Sequence, residues 1–301
     1  AQAEPRACGG RPRRHQDRPP VTPRVVSTLP AVRRARFAPL SLPLVLVVLG
    51  GAAGCAGRFV PPVGPPIPEP AATTAWDGLS AACRDVAALR AELRVSGEID
   101  GRRFPSLTTG MAVEADRLAV VATYSARPIF NLAGASDEVT LLDHQERRVV
   151  TGPAAAIVEA LVGVPVDPGR LLALVTGCVS RDPAPVAGAR IDRLLRVDLA
   201  DAVVYLAQAD GGWRLRAAAF DDVIVEYRRV EHGWPRELEM RRGGRVRLRL
   251  RMVEWERNPI LPAALFKLTV PASYIHTPLE AIGDERLIDA SSNRVAVVPE
   301  G

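Results

Sequence analysis

Histidine, acidic and serine residues are the groups in this chain that could carry out catalysis, and their spacing favours no reaction. His144, His232 and His276 are isolated, whereas metal-binding histidines recur at short, fixed spacings. Asp221 and Asp222 are adjacent, which favours a role in a turn, because neighbouring residues of a strand point to opposite faces. The sequence contains no Gly-x-Ser-x-Gly elbow and no phosphate-binding loop ending in Gly-Lys. We therefore predict a protein that is not an enzyme, with no catalytic residues, no metal site and no cofactor.

Cysteine is the other residue type that could undergo chemistry, and Cys55 lies in a distinctive context. An arginine cluster at residues 33–36 is followed by an apolar run at 44–49 and by small residues at 50–54. A positive flank, a short apolar run and small residues are the parts of a secretory signal. The run is shorter than the ~20 apolar residues that span a bilayer. We therefore predict that residues 1–54 are a leader that is removed.

The last residues of this segment, Ala-Ala-Gly-Cys at 52–55, resemble the lipobox of bacterial lipoproteins. In that family the cysteine becomes the first mature residue and carries acyl chains, so the resemblance implies lipidation of Cys55 and attachment to a membrane. The alternative is an ordinary secretory signal with an incidental cysteine. Ala56 follows, rather than the Asp that typically retains lipoproteins in the inner membrane, and this favours the periplasmic face of the outer membrane.

Two cysteines, Cys83 and Cys178, remain once the leader is removed and Cys55 is lipidated. An even number of cysteines in an exported protein suggests a disulfide. Two separate buried thiols are the alternative, which the spacing leaves open.

The net charge of the 301-residue chain, +5, belongs mostly to the leader. Residues 1–54 hold nine arginines against two acidic residues, a charge of +7, which leaves −2 (5 − 7) for the rest of the chain. A balanced mature chain gives no electrostatic reason to bind nucleic acid, so we predict no nucleic-acid partner.

The pattern after Cys55 predicts a tether, a folded domain and a tail. Residues 58–74 contain six prolines, which indicates an extended linker over 55–75. A helix is predicted from Asp77 to about Arg90. The folded domain is placed at 76–271 and an irregular tail at 272–301.

Most of the domain is predicted to be β-structure. Residues 245–252 alternate strictly between arginine and apolar residues, which is typical of a strand with one buried face. Two helices are inserted midway, one ended by Gly163 and one capped by Asp167 and ended by Gly177. We predict a mainly β, α+β fold in which about eleven antiparallel strands curl into a half-open barrel. The N-terminal helix and the two inserted helices would serve as its plug or lid.

Three stretches resemble LolB, the outer-membrane receptor that inserts lipoproteins, and related lipoproteins of unknown function. Residues 161–168 and 171–177 are similar to that family's paired helices, and residues 235–250 to its late strands; the likeness covers about 78–271. The resemblance implies a half-open barrel whose apolar cavity receives acyl chains, and a periplasmic lipoprotein carrier as partner. In the family a protruding turn carries a Leu; here the turn at 123–128 offers Tyr124, which we place near the membrane.

We therefore predict a monomeric, lipid-anchored receptor or carrier that binds acyl chains or lipoproteins during lipoprotein localisation. The alternative is a structural or assembly lipoprotein without a cavity. The predicted cavity residues share the inward faces of the strands. They are Leu118, Val120, Trp213, Leu215, Val223, Val225, Tyr227, Leu238, Met240, Val246, Leu248, Leu250 and Met252.

Overall fold

Alternating apolar and polar residues make most of the chain form strands with one buried face. A computed structural model describes residues 57–209, 211–280 and 282, which belong to one unit, Ala56–Gly301. The predicted leader and Cys55 lie outside these residues, so lipidation stays a prediction. The strands of the described part are β1 (Ile67–Pro68), β2 (Ala88–Ile99), β3 (Arg102–Glu114), β4 (Arg117–Tyr124), β5 (Arg127–Ala135), β6 (Val139–Asp143), β7 (Arg148–Gly152), β8 (Ala187–Ile191), β9 (Leu194–Asp198), β10 (Val203–Ala209), β11 (Gly212–Phe220), β12 (Val223–Glu231), β13 (Trp234–Arg242), β14 (Val246–Arg257) and β15 (Ile275–His276).

All fifteen strands join in one open sheet, in the order β1-β8-β9-β10-β11-β12-β13-β14-β2-β3-β4-β5-β6-β7-β15. Neighbours are antiparallel except β15, which pairs in parallel with β7. The early meander, β2 to β7, and the late one, β8 to β14, meet where β14 pairs with β2. The mainly β fold with helices agrees with the prediction, but the strand number of about eleven was too low.

The strand number was wrong because short edge strands carry almost no pattern. β1 and β15 have two residues each, and β8 has the sequence Ala-Gly-Ala-Arg-Ile. After β14 the chain forms a 3₁₀ helix, Ala263–Phe266, which packs against the outer face of the sheet.

The described residues contain three α-helices: α1 (Pro70–Ser80), α2 (Ala154–Val162) and α3 (Pro168–Thr176). The inserted pair, α2 and α3, forms as predicted. Each helix ends at a glycine with positive φ, Gly163 at 76° and Gly177 at 80°, a backbone conformation that glycine adopts without a Cβ clash. The Asp167 side chain caps α3 by accepting a hydrogen bond from the Arg170 N–H at 2.9 Å.

The helix expected from Asp77 to Arg90 was misplaced. It begins at Pro70, whose fixed φ suits the first helical turn, and continues into a 3₁₀ helix, Ala81–Asp85. The chain is already in strand β2 by Ala88, and the residues from Leu89 to Arg94 alternate between buried and exposed, as expected for a strand.

The proline-rich stretch is not a free tether. Phe59 is buried, β1 pairs with β8, and the Glu69 N–H donates to the Gly188 carbonyl at 3.0 Å. The folded part therefore begins before residue 76. It also continues past 271, since β15 extends the sheet and the Tyr274 hydroxyl lies 2.7 Å from Nδ1 of His144.

The inner face of the sheet bends around the helices. Helix α3 contacts β3, β4 and β13, and β13 lies four positions from β4 in the sheet. A flat sheet would separate these strands by about 19 Å at ~4.8 Å per strand, more than the ~10–12 Å diameter of a helix. The strands must therefore curve towards α3, and buried residues of the sheet and all three helices form one continuous core.

A disulfide fixes the helices to one another. Cys83, just after α1, is bonded to Cys178, just after α3, with 5.5 Å between their Cα atoms. Because the two cysteines are 95 residues apart, the chain-entropy model gives a stabilisation of roughly 4–5 kcal/mol.

Candidate ligand cavity

An apolar cavity of about 130 Å³ lies between the inner face of the sheet and helices α2 and α3. Its walls contain a single polar residue, Thr109, and no charged residue. The alternation of each strand points its apolar side chains inward. The lining comprises Leu93, Val95, Phe104, Leu107, Thr109, Met111, Leu118, Val120, Phe130, Leu132, Val158, Leu161, Val162, Val164, Val166, Leu171, Met240, Leu248 and Leu250.

Opposite walls of the cavity come from parts of the chain that are distant in sequence. Strands β2 to β5 supply one side and β13 and β14 the other, while α2, the connection after it and α3 form the cover. The cover depends on α2 keeping Val158, Leu161 and Val162 on one helical face, a spacing of three and four residues.

The structure places five of the predicted cavity residues in this lining: Leu118, Val120, Met240, Leu248 and Leu250. The other eight do not line it. Each is nevertheless buried in the same core or packed against it: Trp213, Leu215, Val223, Val225, Tyr227, Leu238, Val246 and Met252.

Helix packing explains why these eight leave no space for a ligand. The Tyr227 hydroxyl donates a hydrogen bond to the Leu174 carbonyl of α3 at 3.1 Å. Val246 lies directly against Gly163 at the end of α2. A Cβ added to Gly163 would come within 2.6 Å of the Cγ2 atom of Val246. Helices therefore fill the concave face along β11 and β12, and the open space is shifted towards β2 to β5.

The sequence prediction missed the lining residues of β2, β3 and β5. The alternating pattern that marks an inward face was present in β3, where every second residue is buried: Leu107, Thr109, Met111 and Val113. Alternation identifies the inward face of a strand, but the docking position of a helix decides which part of that face stays uncovered.

Ion pairs at Arg242 hold the end of α2 on the sheet. The Arg242 guanidinium donates to the Glu159 carboxylate of α2 and, at 3.1 Å, to the Gly163 carbonyl. The Nε of the same guanidinium group donates to both carboxylate oxygens of Asp222 at 2.9 Å. The hydrogen bond to Glu159 foremost, and then that to Asp222, raise the pKa of Arg242. We call Arg242, Glu159 and Asp222 the α2 latch.

Helix α3 is held more firmly than α2. Besides the Tyr227 hydrogen bond, the Cys83–Cys178 disulfide follows its last turn. Arg181 forms an ion pair at 2.8 Å with Asp167, the residue that caps α3. Arg170 of α3 forms an ion pair with Asp201. Helix α2 is held on the sheet by the noncovalent latch alone, whereas α3 is also bonded covalently to the segment that follows α1. Helix α2 is therefore the part of the cover that can move at lower cost.

Tyr124 ends strand β4 and is 41% exposed. The following residues, Ser125 and Ala126, both have positive φ, as in the two-residue turns that join hairpin strands. The turn thus presents an aromatic ring to solvent, and its placement at a membrane stays a prediction.

The described part of the chain contains neither a metal-binding cluster nor a helix that could span a membrane. No cluster of three or more His, Cys, Asp or Glu side chains there could hold a metal ion. No helix within those residues has the length and hydropathy to cross a bilayer.

Comparisons with known proteins gave matches among solved structures. No protein-family profile matches the chain, and no curated protein matches it in sequence. A LolA superfamily protein from Nitrosomonas europaea is 9% identical, with 64% of this chain and 98% of that chain covered and a TM-score of 0.45. An outer membrane lipoprotein-sorting protein domain, described as putative, from Vibrio parahaemolyticus is 10% identical, with 65% and 97% covered and a TM-score of 0.41. LprF from Mycobacterium bovis is 13% identical, with 69% and 99% covered and a TM-score of 0.30.

Members of the LolA superfamily and lipoproteins are thus among the structures similar to this chain, in agreement with the resemblance seen in the sequence.

Proposed function

We propose that this protein binds the acyl chain of a lipid or lipoprotein inside a half-open barrel, between the curved sheet and helices α2 and α3. The observation that supports the proposal is the cavity itself, whose lining holds no charged residue and one hydroxyl. Binding sites for apolar ligands are concave and lined mainly by hydrophobic side chains.

The size of the cavity implies that the cover moves when a ligand enters. A cavity of about 150 Å³ accepts a molecule as small as benzene, and ligand pockets usually measure ~300–1,000 Å³. At about 130 Å³, the space holds only part of an acyl chain. Release of the α2 latch would let Val158, Leu161 and Val162 move away from the sheet and lengthen the cavity.

The expected affinity suits a carrier or receptor. Burying one large apolar side chain is worth roughly 1.5–3 kcal/mol, so a few contacts along an acyl chain give useful binding that can be reversed. We propose that the protein is attached through Cys55 at the periplasmic face of the outer membrane. There it would accept lipoproteins or lipids from a soluble periplasmic carrier.

The test is binding of a fluorescent fatty acid to the folded unit, residues 56–301. The wild-type protein should bind it, and Leu248→Glu or Leu250→Glu should abolish binding by placing a charge in the cavity. Val120→Phe, which fills the cavity without adding a charge, should weaken binding several-fold. Arg251→Glu, on the opposite face of the same strand, is the matched control and should bind as wild type does.

Circular dichroism and the unfolding midpoint must show that each variant is folded. A wild-type protein that binds no acyl ligand under conditions where a known carrier does would reject this proposal. The protein would then be a structural lipoprotein whose helices simply complete its core.

A further inference from the structure

The outer face of the sheet, opposite the helices, carries a cluster of charges with an excess of arginine. Glu226 and Glu239 lie at its centre and are 1% and 0% exposed. Each pairs with several guanidinium groups at 2.8–3.8 Å. Their partners are Arg216, Arg228, Arg241, Arg247 and Arg249.

Five guanidinium groups thus share two buried carboxylates. Glu237, whose carboxylate lies 3.6 Å from the Arg249 guanidinium, adds a third negative charge. Five arginines against three glutamates leave the cluster with a net positive charge. Arg247 and Arg249 are 56% and 50% exposed, so their guanidinium groups can reach a partner outside the protein.

Two further arginines extend the positive charge onto the next strand. Arg251 of β14 and Arg94 of β2 lie directly opposite each other in the sheet register, and both are exposed. Glu237 of β13 lies opposite Arg251 on its other side, but no ion pair joins the two, and Arg94 has none within the described residues. Like charges facing across a strand pair are unfavourable, and an anion bound between them would relieve the repulsion. We call Arg94, Arg247, Arg249 and Arg251 the arginine face.

The start of the folded chain is fixed on this same side of the sheet. The Phe59 N–H donates to Glu226 at 3.1 Å, and the Arg241 guanidinium donates to the Phe59 carbonyl. The Phe59 ring packs on Tyr205 with 5.2 Å between the ring centroids. Cys55 precedes Phe59 by four residues, and four extended residues span at most about 14 Å. Acyl chains on Cys55 would therefore enter the membrane close to the outer face.

We propose that the arginine face binds the anionic headgroups of the membrane that holds the acyl anchor. Guanidinium groups recognise phosphate through paired, charge-assisted hydrogen bonds, and a basic patch is one of the signals that strengthen anchoring by acyl chains. The proposal rests on the proposed lipidation of Cys55 and is independent of acyl binding in the cavity. Because the cavity lies on the other side of the sheet, this orientation turns its cover away from the membrane.

Sedimentation with vesicles tests this proposal on residues 56–301, without the acyl anchor. Binding to phosphatidylcholine vesicles containing phosphatidylglycerol should exceed binding to phosphatidylcholine alone and should fall as salt is added. Arg94→Gln/Arg251→Gln should weaken binding to the anionic vesicles about tenfold or more, from the loss of two basic residues near the surface.

Arg84→Gln/Arg193→Gln, which removes two exposed arginines from other places, is the matched control and should bind the anionic vesicles as wild type does. Both double variants should retain fatty-acid binding, so failure of the cavity proposal would be seen separately. Equal binding to the two vesicle types, or equal losses in the two double variants, would overturn the proposal. Tight binding of inorganic phosphate alone that competes with the vesicles would overturn it too, by assigning the face to a free anion.

Discussion

Tyr227 shows how one side chain can fix a helix to the sheet. Its ring is buried, its hydroxyl donates to the Leu174 carbonyl of α3, and burial raises its pKa. The folded state therefore favours the neutral phenol. The stability that follows is present below the unfolded pKa of about 10 and is lost as the pH rises above it, because the unfolded chain then releases the proton first.

Tyr227→Phe should therefore have two effects on the free energy of unfolding. At pH 7 it should lower this energy by about 1–2 kcal/mol, because the buried Leu174 carbonyl loses its side-chain donor. Above pH 10 the variant should lose less stability with rising pH than wild type does. Urea unfolding across this range measures both effects, with exposed Tyr124→Phe as control, and parallel pH profiles for wild type and Tyr227→Phe would contradict the assignment.

Glu239 is the residue on which the outer charge cluster depends, since it is fully buried and contacts four arginines. Glu239→Gln should destabilise the fold by about 3–5 kcal/mol, because it removes one of the two carboxylates that neutralise the buried Arg241 and the partly buried Arg228. Glu237→Gln, which removes a partly exposed partner of Arg249, should cost less than about 1 kcal/mol. Similar urea midpoints for the two variants would contradict this difference.

At the scale of elements, the α2 latch separates the movable part of the cover from the fixed part. The Arg242 and Glu159 side chains are 29% and 45% exposed, and ion pairs at such sites contribute about 1 kcal/mol or less. Arg242→Gln should therefore leave the fold intact. We expect opening of α2 to limit the rate at which a fatty acid enters the cavity. Fatty-acid uptake by Arg242→Gln should therefore be roughly fivefold faster than uptake by wild type.

Stopped-flow fluorescence measures that uptake. Arg236→Gln is a suitable control, because it removes an ion pair with Glu231 of similar exposure between residues that do not line the cavity. An uptake rate unchanged by Arg242→Gln would show that α2 does not gate the cavity.

The elements also show what could be read from the sequence. Helices α2 and α3 were predictable because Gly163, Asp167 and Gly177 mark their ends by local chemistry. The start of α1 at Pro70 was missed because the prolines around it indicate a linker equally well. The burial of Phe59 could not be predicted, since it depends on a pocket formed by residues at least 135 positions later.

At the scale of the whole molecule, the inward faces were predictable and the position of the cavity was not. Alternation placed Leu118, Leu248 and Leu250 on the concave side. The uncovered region depends on where α2 and α3 rest on the curved sheet, which is a property of tertiary packing. For this reason Trp213 and Tyr227 lie outside the lining, while Phe130 and Leu132 are part of it.

The proposed function requires that an acyl chain lies between the sheet and helix α2. Photo-crosslinking with a fatty acid that carries a diazirine near its tail, followed by peptide mass mapping, tests it most directly. We expect adducts on both walls of the cavity, for example at Val162 of α2 and at Val120 or Leu248 of the sheet. Adducts confined to outer-face residues such as Val121 and Leu265, which line a groove on the other side of the sheet, would contradict it.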